Sequence, residues 1–367
     1  MARIAYLLTQ DRGGPVDVTT RLARAVADLG EHTVGVFGPL PARGGETVRD
    51  IHHLIDVPRK GDLRSLGRAR AALRRWQPTI VHAQDRRAGL VVAGMQWLPG
   101  GPRAVLQTYH GVPDDVTEPW FRGERGAAGP SRYTRVVLAG DAATAAASTR
   151  TVVPATAMGE FLHRRLRIPA DRIVHLDNGV VLPEATPPVG PVRRLLFVGL
   201  LVERKGLIDL LTALARPGVL RDGVTLTVVG DGPARPESER LAASLTLAGR
   251  VEFLGYRTDV PDLLASHDAL VLPSRMEQQP LVVAEAMGAG KPVLATDTGG
   301  VAEMLDVPGY KYLARPDDVD SLETALIRLF TDPEPGCVGR ALADRARRLY
   351  SVERSAAAHL DFYATLI

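Results

Sequence analysis

The chain has 367 residues, 45% of them hydrophobic and 24% charged, which suits two cores of about 180 residues each and excludes a disordered polymer. Its net charge of +3, from 45 basic and 42 acidic residues, argues for no nucleic-acid partner. A single cysteine, Cys337, excludes an internal disulfide framework and a cysteine-ligated zinc site.

Short β-rich runs alternate with helical patterns along the whole chain. In the first half, strands are expected at 3–8, 33–38, 79–83, 104–109, 136–139, 151–154 and 173–176, with helices at 17–29 and 63–76. The longest nearly apolar run, 88–99, is too short for the roughly 20 residues that cross a bilayer, and no leader-like pattern opens the chain, so a cytoplasmic protein is expected. At 182–191 the prolines Pro183, Pro187, Pro188 and Pro191 suit neither helix nor ladder and read as a stiff linker. The pattern then restarts. Strands are expected at 194–199, 225–230, 251–255, 269–273 and 292–295, and helices at 207–215, 237–247, 281–289 and 319–330, with further helix from about 341 onward. This is an α/β chain of two doubly wound, Rossmann-like parallel-sheet domains, expected at 1–185 and 192–345. The last segment, 346–367, is helical and is a candidate to pack back on the first domain. Such folds bind ligands outside the carboxyl ends of their strands, and a cleft between the two domains is expected to hold them.

The residues just after the strands are therefore the candidates. Gly13 and Gly14 follow the first strand and let the backbone approach a ligand closely at a helix start; the other reading is a plain strand-to-helix turn. Neither this loop nor Gly230-Asp231-Gly232-Pro233 carries the dinucleotide glycine fingerprint, which disfavours a dehydrogenase. His110 ends the fourth strand, ahead of Gly111, where it could bond a substrate hydroxyl or move a proton, or be structural. His82, inside a strand, suits a satisfied core histidine, and His52, His53 and His163 lack metal-ligand spacing. Cys337 has no base beside it and reads as a bystander.

Lysine is scarce, with only Lys60, Lys205, Lys291 and Lys311. Lys205, beside Arg204, opens an amphipathic helix, where ammonium and helix dipole reinforce each other around a diphosphate. Glu277 lies in a loop after a strand. Glu285, eight residues on, falls in an apolar helix where an unpaired carboxylate is costly and ribose hydroxyls would satisfy it. Gly299-Gly300, before Glu303, forms a turn suited to phosphate oxygens.

The order Gly13-Gly14, His110-Gly111, Asn178-Gly179-Val180, Lys205-Gly206, Gly230-Asp231-Gly232-Pro233, Glu277 to Glu285, then Gly299-Gly300 with Glu303, resembles the retaining glycosyltransferases of family 4, which have the GT-B fold. The resemblance covers nearly the whole chain and is most specific from Gly230 to Glu303. It implies that a nucleotide-activated sugar, a UDP-sugar favoured, binds mainly the second domain and the acceptor the first. It implies Glu285 on the ribose, Lys205 on the diphosphate, Glu277 on the sugar hydroxyls, and backbone amides of Leu281 and Val282 on sugar or phosphate. His110 would approach the sugar from the other domain. The implied front-face displacement retains the anomer and requires no metal or cofactor, because Lys205, helix ends and backbone donors offset the leaving diphosphate. The chain departs from the family at Leu200, where a second cation is usual, and at Gln278-Gln279-Pro280, where Pro280 has no N–H to give.

A small soluble acceptor in secondary-metabolite biosynthesis is the expected target. Two alternatives stay open: a membrane-surface transferase acting on a lipid acceptor, and an inactive nucleotide-sugar-binding protein. The membrane reading rests on the basic run Arg59, Lys60, Arg64, Arg68, Arg70, Arg74 and Arg75, within 59–76; the other reading is a solvated arginine face over a core-facing leucine stripe. A nucleotide-sugar epimerase shares the architecture but not the motifs. The oligomeric state is not encoded in any motif.

Overall fold

A computed structural model describes residues 1–57, 62–244 and 247–367. The chain divides into two compact units, Met1–Val180 with Ser351–Ile367, and Val181–Tyr350.

Unit 1 contains β1 (Arg3–Leu7), α1 (Gly14–Asp28), β2 (Thr33–Gly38), β3 (His52–Leu54), α2 (Leu63–Trp76), β4 (Ile80–Ala83), α3 (Arg86–Val92), β5 (Ala104–Thr108), α4 (Glu118–Arg122), α5 (Arg132–Ala146), β6 (Arg150–Val153), α6 (Thr156–Leu166) and β7 (Ile173–His175). Its parallel sheet has the order β3-β2-β1-β4-β5-β6-β7. The chain winds outward from β1 in one direction and then, from β4, in the other. The alternation of β1 shows why both faces are covered. Ile4 and Tyr6 pack with Val16, Leu22 and Val26 of α1 on one face, while Ala5 and Leu7 pack with Ala69 and Leu73 of α2 on the other.

Unit 2 contains β8 (Arg194–Val198), α7 (Leu207–Leu214), β9 (Thr225–Val229), α8 (Arg235–Ser244), β10 (Val251–Gly255), α9 (Val260–Ser266), β11 (Ala269–Leu272), α10 (Leu281–Gly288), β12 (Val293–Thr296), α11 (Val301–Met304), β13 (Leu313–Ala314), α12 (Val319–Thr331) and α13 (Pro335–Leu349). Its sheet, β10-β9-β8-β11-β12-β13, is also parallel and reverses direction between β8 and β11. The last helix, α14 (Val352–Ala364), is capped by Ser351, and its Ala356, Leu360 and Tyr363 complete the α1 side of the unit 1 core. A backbone bridge from Val180 to Ser351 joins the two ends of unit 1.

Three expectations change. The apolar run 136–139 is not a strand but a turn of α5, whose start is fixed by the Ser131 hydroxyl accepting from the Thr134 amide. The proline-rich 182–191 segment lies within unit 2, where the Thr186 amide donates to the Ala289 carbonyl at 2.8 Å and the Lys291 ammonium donates to the Thr186 carbonyl. Lys291 is thus a structural lysine. In the basic run, Arg59 and Lys60 lie outside the described residues. Arg70 donates to the Val91 and Ala93 carbonyls at 2.6 and 2.9 Å and Arg74 to the Pro99 carbonyl at 2.9 Å, so these two arginines tie α2 to its neighbours. Among the described residues no helix is long and apolar enough to cross a membrane.

Candidate functional site

Each unit presents loops at the point where its strand order reverses, which is where doubly wound sheets bind ligands. In unit 2 these are the loops after β8 and β11. The loop after β8 carries one 3₁₀ turn, Glu203–Lys205, and then Gly206 at a φ of 69° caps α7. A Cβ on Gly206 would sit 1.9 Å from the Pro273 carbonyl oxygen, so only glycine brings this loop against the end of β11.

That approach sets Lys205 beside Glu277. The Lys205 ammonium donates to Glu277 Oε1, and the Ser274 hydroxyl donates to the same oxygen at 2.8 Å. Both side chains of the pair are mostly buried, at 15% and 10% exposure. The loop that carries Glu277 is held from two sides. Arg275, unremarked in the sequence, reaches Asp209 at 3.1 Å, Glu203 at 2.8 Å and Asp317 at 2.8 Å, and its amide donates to the Arg204 carbonyl at 2.8 Å. On the other side the Gly300 amide donates to the Gln278 carbonyl at 2.9 Å, and a Cβ on Gly299 would lie 1.9 Å from the Glu277 carbonyl oxygen. The Gly299-Gly300 turn therefore braces the Glu277 loop.

Beyond Pro280, α10 begins. Its Val283 amide returns to the Pro280 carbonyl at 3.1 Å, and Leu281 and Val282 stand at the two positions before it, where helix amides have no intrahelical acceptor. Val283, Ala284, Ala286, Met287 and Gly288 are buried, so Leu281, Val282 and Glu285 are the less buried residues of the helix, with Leu281 and Glu285 one turn apart. Lys205, Glu277 and the start of α10 are thus gathered around one loop. Arg204 is half-buried within the 3₁₀ turn, and its carbonyl serves as the Arg275 anchor. Leu200 is 56% exposed on the loop after β8 and brings no charge to it.

In unit 1 the loops after β1, β4 and β5 border an open pocket of about 410 Å³, lined by Thr9, Gln84, Asp85, Arg86, Thr108 and His110 among others. Gly13 caps α1, and its carbonyl accepts the Val16 and Asp17 amides at 2.9 and 3.1 Å; Gly14 is the first helical residue. Asp85 ties two of the loops, accepting the Thr9 amide at 2.6 Å and hydroxyl at 2.7 Å as well as the Ala88 amide at 2.8 Å. Arg86 is balanced by Asp141 at 2.9 Å. His110 Nε2 lies 3.1 Å from Gln84 Oε1. Burial, reinforced by the nearby His359, pushes His110 down to about 4, so the ring is neutral at pH 7. His82 is the core histidine its strand position suggested, between the Thr108 hydroxyl and the Tyr363 hydroxyl, each at 2.7 Å. Cys337 is exposed. Among the described residues, no group of three or more His, Cys, Asp or Glu side chains could hold a metal ion.

The chain matches two family models: one described as Glycosyltransferase Family 4 at residues 12–183 and one described as Glycosyl transferases group 1 at 192–332. It is 28% identical over 282 residues to the glycogen synthase of Mycobacterium tuberculosis, a match covering 75% of this chain and 65% of that enzyme. It is 30% identical to the alpha-D-kanosaminyltransferase of Streptomyces kanamyceticus, over 48% of this chain and 46% of the relative. The chain therefore spans less than two thirds of the length of these curated relatives. Among solved structures, Anabaena HepE in complex with UDP superposes with a TM-score of 0.81 at 19% identity, covering 99% of this chain and 100% of that one. Sucrose-phosphate synthase from Thermosynechococcus elongatus does so with a TM-score of 0.79 at 20% identity, over 100% and 99%. The two models between them match most of the chain, which belongs to the family 4 glycosyltransferases and has their GT-B fold.

Proposed function

We propose that the chain transfers a hexose-type sugar from a nucleoside-diphosphate sugar to a small hydroxyl-bearing acceptor, with retention of anomeric configuration. The observation that carries this reading is the gathering of Lys205, Glu277 and the start of α10 around the loops after β8 and β11. UDP is the favoured nucleotide, supported by HepE, which is described in complex with UDP and with UDP-glucose. A role in secondary-metabolite biosynthesis is supported by the likeness to the kanosaminyltransferase.

In this reading Glu285 accepts the ribose hydroxyls and Glu277 the hydroxyls of the sugar. Lys205, with Arg204 nearby, and the Leu281 and Val282 amides meet the diphosphate. As the glycosidic C–O bond breaks, negative charge grows on the leaving phosphate, and an ammonium and helix amides fixed in place stabilise it without reorganisation. The acceptor hydroxyl attacks the same face, its proton passing to the departing phosphate oxygen. Positive charge for the leaving group comes from the chain itself, so the reading requires no metal. Neutral His110 hydrogen-bonds a substrate hydroxyl.

The test is incubation of the full chain with UDP-glucose and a panel of small polyol acceptors, following UDP release and the anomeric coupling of the product by NMR. An α-linked product from the α-donor supports the reading, and an inverted product refutes retention. The exposed Leu200 and the amide-less Pro280 favour one second reading, a nucleotide-sugar binder without turnover, which predicts UDP binding with no product.

A further inference from the structure

The residue before His110 and the residue after it are held by one guanidinium. Arg86 Nη2 donates to the Tyr109 hydroxyl at 3.1 Å and to the Gly111 carbonyl at 2.7 Å, and the guanidinium carbon lies 5.1 Å from the centre of the Tyr109 ring. The guanidinium is fixed in turn. Its Nε donates to Asp141 Oδ2 at 2.9 Å, and that same oxygen accepts from the Tyr109 hydroxyl at 2.5 Å, so Arg86, Tyr109 and Asp141 close a triangle of charge-assisted hydrogen bonds. Arg86 is also anchored at its base. It is the first residue of α3, whose start is capped by Asp85, and Asp85 accepts the amide and hydroxyl of Thr9 as well. The adjacent residues Asp85 and Arg86 therefore grip the loops on either side of β4, Asp85 the loop after β1 and Arg86 the loop after β5.

We infer that Arg86 is a positioning residue for His110: by clamping Tyr109 and Gly111 it fixes the stretch of loop from which the His110 ring faces Gln84. The inference rests on the role given to His110 in the transferase reading above. Loop backbone moves unless something ties it down, and a catalytic geometry tolerates little movement. Arg86 acts through the loop and not on substrate, since its charge is balanced by Asp141 and its Nε and Nη2 are committed within the protein. The work is specific to a planar fork. A lysine would keep the pairing with the buried Asp141, but one compact ammonium cannot reach from that carboxylate to the Tyr109 hydroxyl and the Gly111 carbonyl together. Arg86→Lys thus preserves the charge balance and removes the clamp.

The experiment follows UDP release from UDP-glucose, over the same polyol panel, by the full chain as wild type, Arg86→Lys, His110→Ala and the double variant. A melting curve on each confirms folding. Should Arg86→Lys not fold, Arg86→Gln with Asp141→Asn takes its place, since it removes a charge and its counter-charge together. Arg86→Lys is expected to lower kcat about tenfold with the donor KM within about twofold, and to lower it less than about twofold further when His110 is already alanine. A fall of the same size in both backgrounds, or none in either, overturns the inference and leaves the transferase reading standing. A His110→Ala variant with the wild-type kcat overturns the role of His110 and the inference with it. NMR spectra of the chain labelled at its histidine nitrogens read the ring directly. The His110 signals, identified by their loss in His110→Ala, are expected to broaden or split in Arg86→Lys, and unchanged signals overturn the inference. No UDP release by the wild type refutes the transferase reading, and the spectra then decide alone whether Arg86 fixes His110.

Discussion

Lys205 and Glu277, 72 positions apart in sequence, are joined as an ion pair where the loops after β8 and β11 meet, and Ser274 donates to the same carboxylate oxygen at 2.8 Å. Two mostly buried opposite charges hold each other in place, so removing one leaves the other without compensation. Lys205→Ala is expected to lower kcat by about 100-fold, the scale of losing one charge-stabilising donor, and to lower stability as well. The double variant Lys205→Met with Glu277→Gln should regain stability but not turnover. Urea denaturation beside steady-state kinetics separates the two effects, and a double variant that also regains kcat would remove the pair from the chemistry.

Ser274 orients Glu277 rather than meeting substrate in this account. Ser274→Ala should cost about 1.5–3 kcal/mol, a hydrogen bond to a charged group, and raise the donor KM several-fold with a smaller effect on kcat. Kinetics over a range of donor concentration check this, and a purely kcat effect would contradict it.

Gly206 is the residue that lets the lysine loop reach β11. At a φ of 69° and with the Pro273 carbonyl oxygen 1.9 Å from where a Cβ would stand, Gly206→Ala must displace the loop. The expected result is a loss of about 2 kcal/mol or more together with much weaker UDP binding. Calorimetry on the folded variant tests it.

Leu200 is exposed on the loop after β8, where a second cation is usual in the family. Leu200→Arg buries nothing and adds charge near the proposed diphosphate site, so UDP binding should tighten by about three- to tenfold at low ionic strength and less at high salt. Equal affinity at both salt concentrations would show that position 200 does not face the ligand.

Three histidines of unit 1 are held neutral. Burial pushes His110 and His359 down to about 4 and His82 well below its ordinary value. Their folded values lie below the unfolded value of about 6.5, so the stability they contribute is fully present above about pH 6.5 and is lost as pH falls toward 4, where only the unfolded chain takes up protons. The urea midpoint should therefore fall steadily between pH 6.5 and 4.5. His82→Asn or His359→Gln should flatten that slope. For the same reason turnover should not fall with an apparent pKa near 6.5 through His110.

The frame of both sheets was legible because short continuous apolar runs between turn residues and helical patterns leave little choice, as at β1, β2 and β8, which are buried on both faces. The run 136–139 misled because four apolar residues fit a strand or a helix turn equally, and what decides is distant: Asp115 accepts from the Ser131 amide at 2.9 Å and the Thr134 hydroxyl at 2.5 Å, which starts α5. β3 and β13, three and two residues long, owe their strand character to their neighbours β2 and β12. Within the site, scarcity marked Lys205 and an apolar context marked Glu285. The pairing of Lys205 with Glu277 and the bracing by Arg275 could not be read, since their partners are scattered from Glu203 to Asp317.

The central claim is that the loops after β8 and β11 hold a nucleoside diphosphate through Lys205. The most direct measurement is a calorimetric titration of the full chain and of Lys205→Ala with UDP, alongside guanosine, thymidine and adenosine diphosphates. The account predicts saturable binding of one nucleotide, UDP foremost, weakened at least tenfold in Lys205→Ala. Equal affinity in the two proteins, or no binding of any of the four, would contradict it.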